Sequence, residues 1–160
     1  MRIAIASGKG GTGKTTVAVN LAVTVSRQGF PVHLCDCDVE EPNGHVFLSP
    51  DFLGSWPVTV PVPAIDQEAC THCGRCADIC EFNAIACLPD RTMVFPDLCH
   101  SCSGCWLACP EKAITSEKQT IGEISTGAAG GLAFTLGKLK VGQVLVPPLI
   151  EAVKDVPRVE

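Results

Sequence analysis

Between Cys70 and Pro110, eight of the eleven cysteines fall into two runs of one spacing. The first is Cys70-x2-Cys73-x2-Cys76-x3-Cys80, and the second is Cys99-x2-Cys102-x2-Cys105-x3-Cys109-Pro110. Each cysteine of the first run has its twin 29 residues later, and Ala84-Ile85 is echoed by Ala113-Ile114. This is an internal duplication, and each half is a unit too small to bury a core alone. The first residues run straight from Ile3-Ala4-Ile5-Ala6 into a glycine loop, with no small-residue cleavage pattern of a secretory leader. Cysteine at this density without such a leader reads as thiolates kept reduced for metal, not a disulfide framework, and the expected compartment is the cytoplasm.

Structural zinc favours two separated C-x2-C hooks or mixed Cys/His sets. Three hooks in a row with an x3 tail, repeated, resemble instead the bacterial two-cluster ferredoxins. There the first three thiolates wrap one [4Fe-4S] cube and the fourth crosses to the other. The resemblance assigns Cys70, Cys73, Cys76 and Cys109 to one cube, and Cys99, Cys102, Cys105 and Cys80 to the other. Glu81 stands where such a run has proline, which puts the local turn in question. His72 and His100, inside the cluster loops, read as outer-layer or exposed residues because eight thiolates are already present. Cys87, outside both runs, is expected to lie buried beside a cluster. Trp106 is placed to shield a cube from water, and such shielding tunes the potential.

The glycine loop is Gly8-Lys9-Gly10-Gly11-Thr12-Gly13-Lys14-Thr15, which fits G-x4-G-K-[ST] at every fixed position. Its glycines let backbone N–H groups curl around phosphate oxygens, and Lys14 reaches the terminal phosphates. The Thr15 hydroxyl suits Mg2+, and the dipole of the following helix points at the anion. The apolar run Ile3 to Ala6 predicts a buried strand before the loop. Thr15 to Gln28 predicts a helix after it, with Val17, Leu21 and Val25 on one stripe beside Ala18 and Ala22, ended by Gly29. Val32 to Cys35 predicts a second strand, which leads into Asp36-Cys37-Asp38-Val39-Glu40-Glu41-Pro42-Asn43. Carboxylates at the C-terminal end of a parallel strand lie where open α/β sheets bind ligands. Cys35 and Cys37 read as small packing residues, and His45 as a surface-loop residue.

The loop is similar to that of the deviant Walker A ATPases of the MinD/ParA group, which read K-G-G-x-G-K-T as Lys9 to Thr15 do. The resemblance implies that Lys9 reaches across a face-to-face dimer to the partner's nucleotide. It further implies that Asp36 helps the Mg2+ shell and that Asp38 orients the attacking water. With both motifs together, the chain resembles a subfamily of these ATPases, catalogued near cobyrinic acid diamide synthases, that carries a two-cluster ferredoxin domain after the second strand. The match rests on Lys9 to Thr16, Asp36 to Asn43, the two cysteine runs, and Leu139 to Lys154 with Pro147-Pro148-Leu149-Ile150. It implies ATP held by Gly8 to Thr16 with Asp36, and Lys9, Lys14 and Asp38 as the catalytic set.

The expected fold is α/β: a partial P-loop NTPase, a parallel sheet with flanking helices, carrying an inserted α+β ferredoxin-like two-cluster domain. The expected boundaries are 1–63, 64–116 and 117–160. Five of the twelve prolines, at 42, 50, 57, 61 and 63, read as a stiff connector with apolar anchors. Ile121 to Ser125 and Leu132 to Leu136 read as strands flanking a glycine-rich hairpin turn, and Pro148 as the start of a helix running to about Asp155. The aspartate-ending strand and Pro-Pro-Gly switch of the family are not found, so the chain is expected to stop short of them. It would then dimerise through the nucleotide face or take a complementary chain.

At 160 residues and net charge −5, with no basic run, the chain is not expected to bind nucleic acid non-specifically. No apolar stretch reaches the roughly 18–20 residues of a membrane span. Three functions compete. One is an ATP-binding protein whose dimerisation couples to electron transfer through the two clusters, toward a redox partner. Another is an iron–sulfur scaffold or carrier that serves an apo-protein acceptor. The third is a plain ferredoxin-type carrier with a vestigial loop.

Overall fold

A computed structural model describes residues 1–157, which divide into two compact units. The first comprises Met1–Pro57, Gly122–Leu139 and residues 147–157; the second comprises Val58–Ile121 and Lys140–Val146. Strands β2 (Asp51–Ile65) and β5 (Ile114–Ala129) contribute residues to both.

In the first unit the sheet order is β1-β6-β5-β2, with β1 spanning His33–Asp36 and β6 spanning Leu132–Leu139. β1 pairs with β6 in parallel, from His33 opposite Ala133 to Asp36 opposite Leu136. β6 and β5 form an antiparallel hairpin from Ala129 opposite Leu132 to Gly122 opposite Leu139. Only Gly130 and Gly131 make its turn, both at positive φ (54° and 84°), as a two-residue hairpin loop requires. β6 is buried on both faces. Leu132, Phe134 and Leu136 pack with Ala22 of helix α1 (Lys14–Arg27). The opposite face meets α5 (Pro147–Lys154), whose fully buried Leu149 and Val153 come up to Gly137. Helices on both faces of a sheet with a parallel pair give the α/β layering expected of a partial P-loop unit.

Three sequence expectations are corrected here. Ile3 to Ala6 forms no strand, and Ile3 is exposed; a strand needs a neighbour to pair with, and the described sheet ends at β1. Helix α1 buries Val19 and Ala22, whereas Val17 and Leu21 of the expected stripe are exposed. The helix lays its small-residue face on β6, where Ala22 lets it approach closely. The proline-rich connector is a short helix α2 (Gly44–Leu48) followed by strand β2. β2 lies at a sheet edge, where residues without an N–H are tolerated.

The second unit repeats itself in backbone as in sequence. Short helix α3 (Arg75–Asp78) is followed by strand β3 (Ile85–Cys87), which pairs antiparallel with β4 (Thr92–Val94). Helix α4 (Gly104–Ala108) begins 29 residues after α3 and leads into β5. Left-handed residues recur at the same offset: His72 and Ser101 (φ 53° and 52°), Gly74 and Ser103 (80° and 67°), Asn83 and Lys112 (52° and 53°). The halves also exchange backbone bonds, Asp66 N–H to Ala113 O and Phe95 N–H to Ala84 O, both 2.8 Å. Ala84 and Ala113, equivalent in the repeat, are both buried. Each half therefore completes its fold on the other.

Candidate metal centres and phosphate loop

The eight repeated cysteines lie in the second unit, at two hollows. One is lined by Cys70, Cys73, Cys76 and Cys109, with Thr71, Arg75, Thr92 and Glu111 among its walls. The other is lined by Cys80, Cys99, Cys102 and Cys105, with Pro63, Phe82, His100 and Trp106. In each, three thiols come from one run and the fourth from the other. Left-handed residues after the first and second cysteines of each run, His72 and Gly74 in one and Ser101 and Ser103 in the other, turn each loop tightly at its hollow. After the fourth cysteine, Asn83 N–H bonds Cys80 O (3.1 Å) and Lys112 N–H bonds Cys109 O (3.4 Å). Glu81 in place of proline leaves this turn unchanged.

The donor chemistry suits a polynuclear thiolate-bound group. A single zinc ion needs its sulfurs drawn to about 2.3 Å from one point. Among the described residues no three His, Cys, Asp or Glu are arranged to hold one ion; the four thiols of each set surround a space. Burial pushes the Cys105 thiol up to about 11, with the neighbouring Cys99 and Cys102 adding to it and a backbone N–H at Trp106 opposing. Burial likewise raises Cys76 and Cys99. Such thiols stay protonated at neutral pH unless a cation replaces the proton, which bound iron does. N–H groups of Ser101 and Ala84 reach Cys99 Sγ (3.4 Å) and Cys80 Sγ (3.3 Å), a donor pattern that favours thiolate charge.

Around these sulfurs lie residues that the sequence reading only touched. His72 Nδ1 is 3.3 Å from Thr92 Oγ1, and His100 stacks on Phe82 with centroids 3.6 Å apart. Cys87 is half-buried where the sequence suggested burial; it donates to His72 O (3.4 Å) and accepts from Thr92 Oγ1, a residue of the first hollow's wall. The half-buried Trp106 ring lines the second hollow and donates from Nε1 to Thr115 O (3.0 Å). Thr92 was missed. It lies outside both runs, and its only sequence signal is its register against Pro63 in the repeat.

The phosphate loop lies in the first unit. Gly11 and Gly13 are at positive φ (71° and 88°), a conformation that points consecutive N–H groups the same way. Gly13 caps α1 without a side-chain hydrogen bond, and the first turn holds no acid, so the helix end is free to meet an anion. Ser7, unremarked in the sequence, ties the loop: its Oγ donates to Lys9 O (2.8 Å) and lies 2.6 Å from Thr12 Oγ1. Lys9, Gly10 and Thr16 are exposed, and Lys14 and Thr15 are half-buried. These residues suit a nucleotide phosphate with its Mg2+.

Asp36 ends β1, and both its oxygens serve the following loop: Oδ2 accepts from Gly44 N–H (2.8 Å) and Oδ1 from Asp38 N–H (3.2 Å). It thus fastens the start of α2 as well as standing at the strand end. His45 is not a surface-loop residue. It sits in α2, half-buried, with Nδ1 buried and unpartnered among the described residues. Cys35 and Cys37 are half-buried, and burial, then the Asp36 charge, raises the Cys37 thiol while Lys154 opposes. No helix among the described residues is long and apolar enough to cross a membrane.

The chain is 34% identical over 155 residues to the uncharacterized protein MJ0578 of Methanocaldococcus jannaschii, covering 97% of this chain and 54% of that protein. It is 42% identical over 67 residues to an iron-sulfur cluster carrier protein of Methanococcus maripaludis, covering 38% of this chain and 23% of that one. A carrier of the same name in Bacillus subtilis is 48% identical over 66 residues, 41% of this chain and 16% of the carrier. The chain spans about half the length of MJ0578. Residues 3–144 match the CbiA family, described as the CobQ/CobB/MinD/ParA nucleotide binding domain. With a phosphate loop of this form at the head of α1 and most of its length within the match, the chain belongs to the CobQ/CobB/MinD/ParA nucleotide-binding family.

Proposed function

We propose that this chain binds two [4Fe-4S] clusters and ATP, and that nucleotide-driven dimerisation is coupled to one-electron transfer through the clusters. The observation that carries the reading is the grouping of thiols, three from one run and one from the other at each hollow. A bound cube supplies reversible uptake of one electron. The chain's own part is to hold eight thiolates, donate N–H groups to sulfur and wall the hollows against water. Gly8 to Thr16 cradle the phosphates, Lys14 neutralises the terminal ones, and Thr15 with Asp36 holds Mg2+. Lys9 reaches a nucleotide on a second copy, and Asp38 orients water. The exposed Ile3, Val17 and Leu21 offer apolar surface for such association.

The test is gel filtration of the anaerobic protein with and without ATP. Lys14→Ala is expected to abolish most nucleotide binding. Lys9→Ala is expected to keep monomer binding and lose ATP-dependent dimerisation. Equal loss of affinity in both variants contradicts the role given to Lys9, and a reduction rate of the clusters indifferent to ATP contradicts the coupling. A second reading, delivery of clusters to an apo-protein, is favoured by the relatives named iron-sulfur cluster carrier proteins. Rapid, complete transfer of iron to an apo-ferredoxin would select it.

A further inference from the structure

Thr92 is almost wholly buried (3% exposed) in the wall of the first hollow. Its backbone is clamped by the Gln67 amide, which donates to Thr92 O (2.7 Å) and accepts from Thr92 N–H (3.1 Å). Its Oγ1 thereby sits 3.5 Å from Cys70 Sγ, 3.5 Å from Cys87 Sγ and 3.3 Å from His72 Nδ1. The one hydroxyl proton faces two sulfurs and, in the tautomer that leaves it unprotonated, His72 Nδ1; in the other tautomer Nδ1–H donates to the hydroxyl oxygen and leaves the proton to the sulfurs. The Cys87 thiol donates to His72 O. Cys70, once it ligates iron, is a thiolate and the stronger acceptor, so the hydroxyl proton turns to it. None of this recurs in the repeat, where the positions equivalent to Thr92, Gln67, Cys87 and His72 hold Pro63, Pro96, Ser116 and Ser101. Backbone donors serve both hollows, Ser101 and Ala84 at the second and Ala77 at Cys76 of the first, and among the described residues only the first adds a side-chain hydroxyl.

Building on the two-cluster reading above, we propose that the Thr92 hydroxyl is a potential-setting residue for the centre held by Cys70, Cys73, Cys76 and Cys109, with no counterpart at the other. A donor aimed at a ligand sulfur stabilises the more negative, reduced state and so raises the reduction potential. Thr92 is a positioning residue of the electron-transfer path: it biases which centre holds the electron.

The experiment is an anaerobic redox titration of the holoprotein followed by electron paramagnetic resonance, comparing wild type with Thr92→Val, Thr92→Ser and Cys87→Ala. In Thr92→Val one of two one-electron waves is expected to move negative, the reduced-to-oxidised ratio at fixed potential falling about tenfold (~59 mV for one electron). The other wave stays in place. Thr92→Ser restores the first wave, and Cys87→Ala does not lower it, since it removes only a competing acceptor. Thr92→Ala serves in the same way where the valine variant fails to load iron. Both waves unmoved in a fully loaded hydroxyl-free variant, or both moved equally, overturns the inference. A fall in Cys87→Ala overturns it as well. Wild-type protein without iron and sulfide for two cubes overturns the reading beneath it, a result separable from the other outcomes.

Discussion

Set side by side at the 29-residue offset, the two hollows match in their cysteines and in every left-handed residue, yet Thr71, Thr92 and Glu111 of one face His100, Pro63 and Phe82 of the other. The first wall carries two hydroxyls and a carboxylate. The second carries a stacked Phe82–His100 pair and the Trp106 ring. Ligand spacing and backbone turns define the cradle, and they are held in common. The walls decide water access and hydrogen bonding to sulfur, and they have diverged. A duplicated fold can thus offer two centres of one kind with separately adjustable properties.

The largest effect that could break this comparison comes from the crossed ligand. Cys80→Ala should cost the centre shared with Cys99, Cys102 and Cys105 and leave the other, so that iron falls from about eight to about four per chain. Iron analysis with single-centre spectra checks it; loss of the Cys70 centre instead would reverse the assignment. Next, Trp106→Ala should open the second hollow and remove the bond to Thr115 O. That centre should then bleach several-fold faster in air while the first keeps its rate, as followed by visible absorbance.

Replacing Phe82 by leucine removes the stack on His100 and should lower stability by about 1 kcal/mol. Its repeat partner, Glu111→Ala, should cost less than about 0.5 kcal/mol. Thermal unfolding of the loaded protein under argon compares them, and equal costs would mean that the walls are energetically alike. The smallest effect is on pH. Cys76, Cys99 and Cys105 are raised by burial, Cys105 from 9.0 to about 11. A group raised in the folded state stabilises it fully below its unfolded value and loses that contribution as pH climbs through the folded one. The metal-free chain should therefore weaken between pH 9 and about 11 in denaturant titrations. Iron uptake, which releases these protons, should be faster at pH 9 than at pH 7.

What the sequence made legible follows from how local each signal is. The cysteine runs, the glycine loop with its helix, the hairpin with its turn read at Gly127 to Gly131 and the helix read from Pro148 depend on neighbours within a few residues; the helices and hairpin are found, with β5 running on to Ala129 and α5 starting at Pro147. The Ile3 to Ala6 strand depended on a partner strand that the described sheet does not supply. Proline density hid β2. The alternation Val58-Thr59-Val60-Pro61-Val62 carried the strand signal, with Val60 and Val62 buried, but the edge position that tolerates proline is a tertiary fact. Thr92 and Ser7 act through contacts 22 and 5 residues away, outside any motif. The second Asp36 role, holding Gly44, likewise needed the loop's path.

The central claim is that the two hollows each hold a cube. Anaerobic purification of the whole chain, with iron and acid-labile sulfide assayed and the reduced protein examined by electron paramagnetic resonance, tests it most directly. The account predicts about eight iron and about eight sulfide per chain, and a reduced signal broadened by coupling between two neighbouring centres. Stoichiometric zinc without sulfide, or four irons with no coupling, would contradict it.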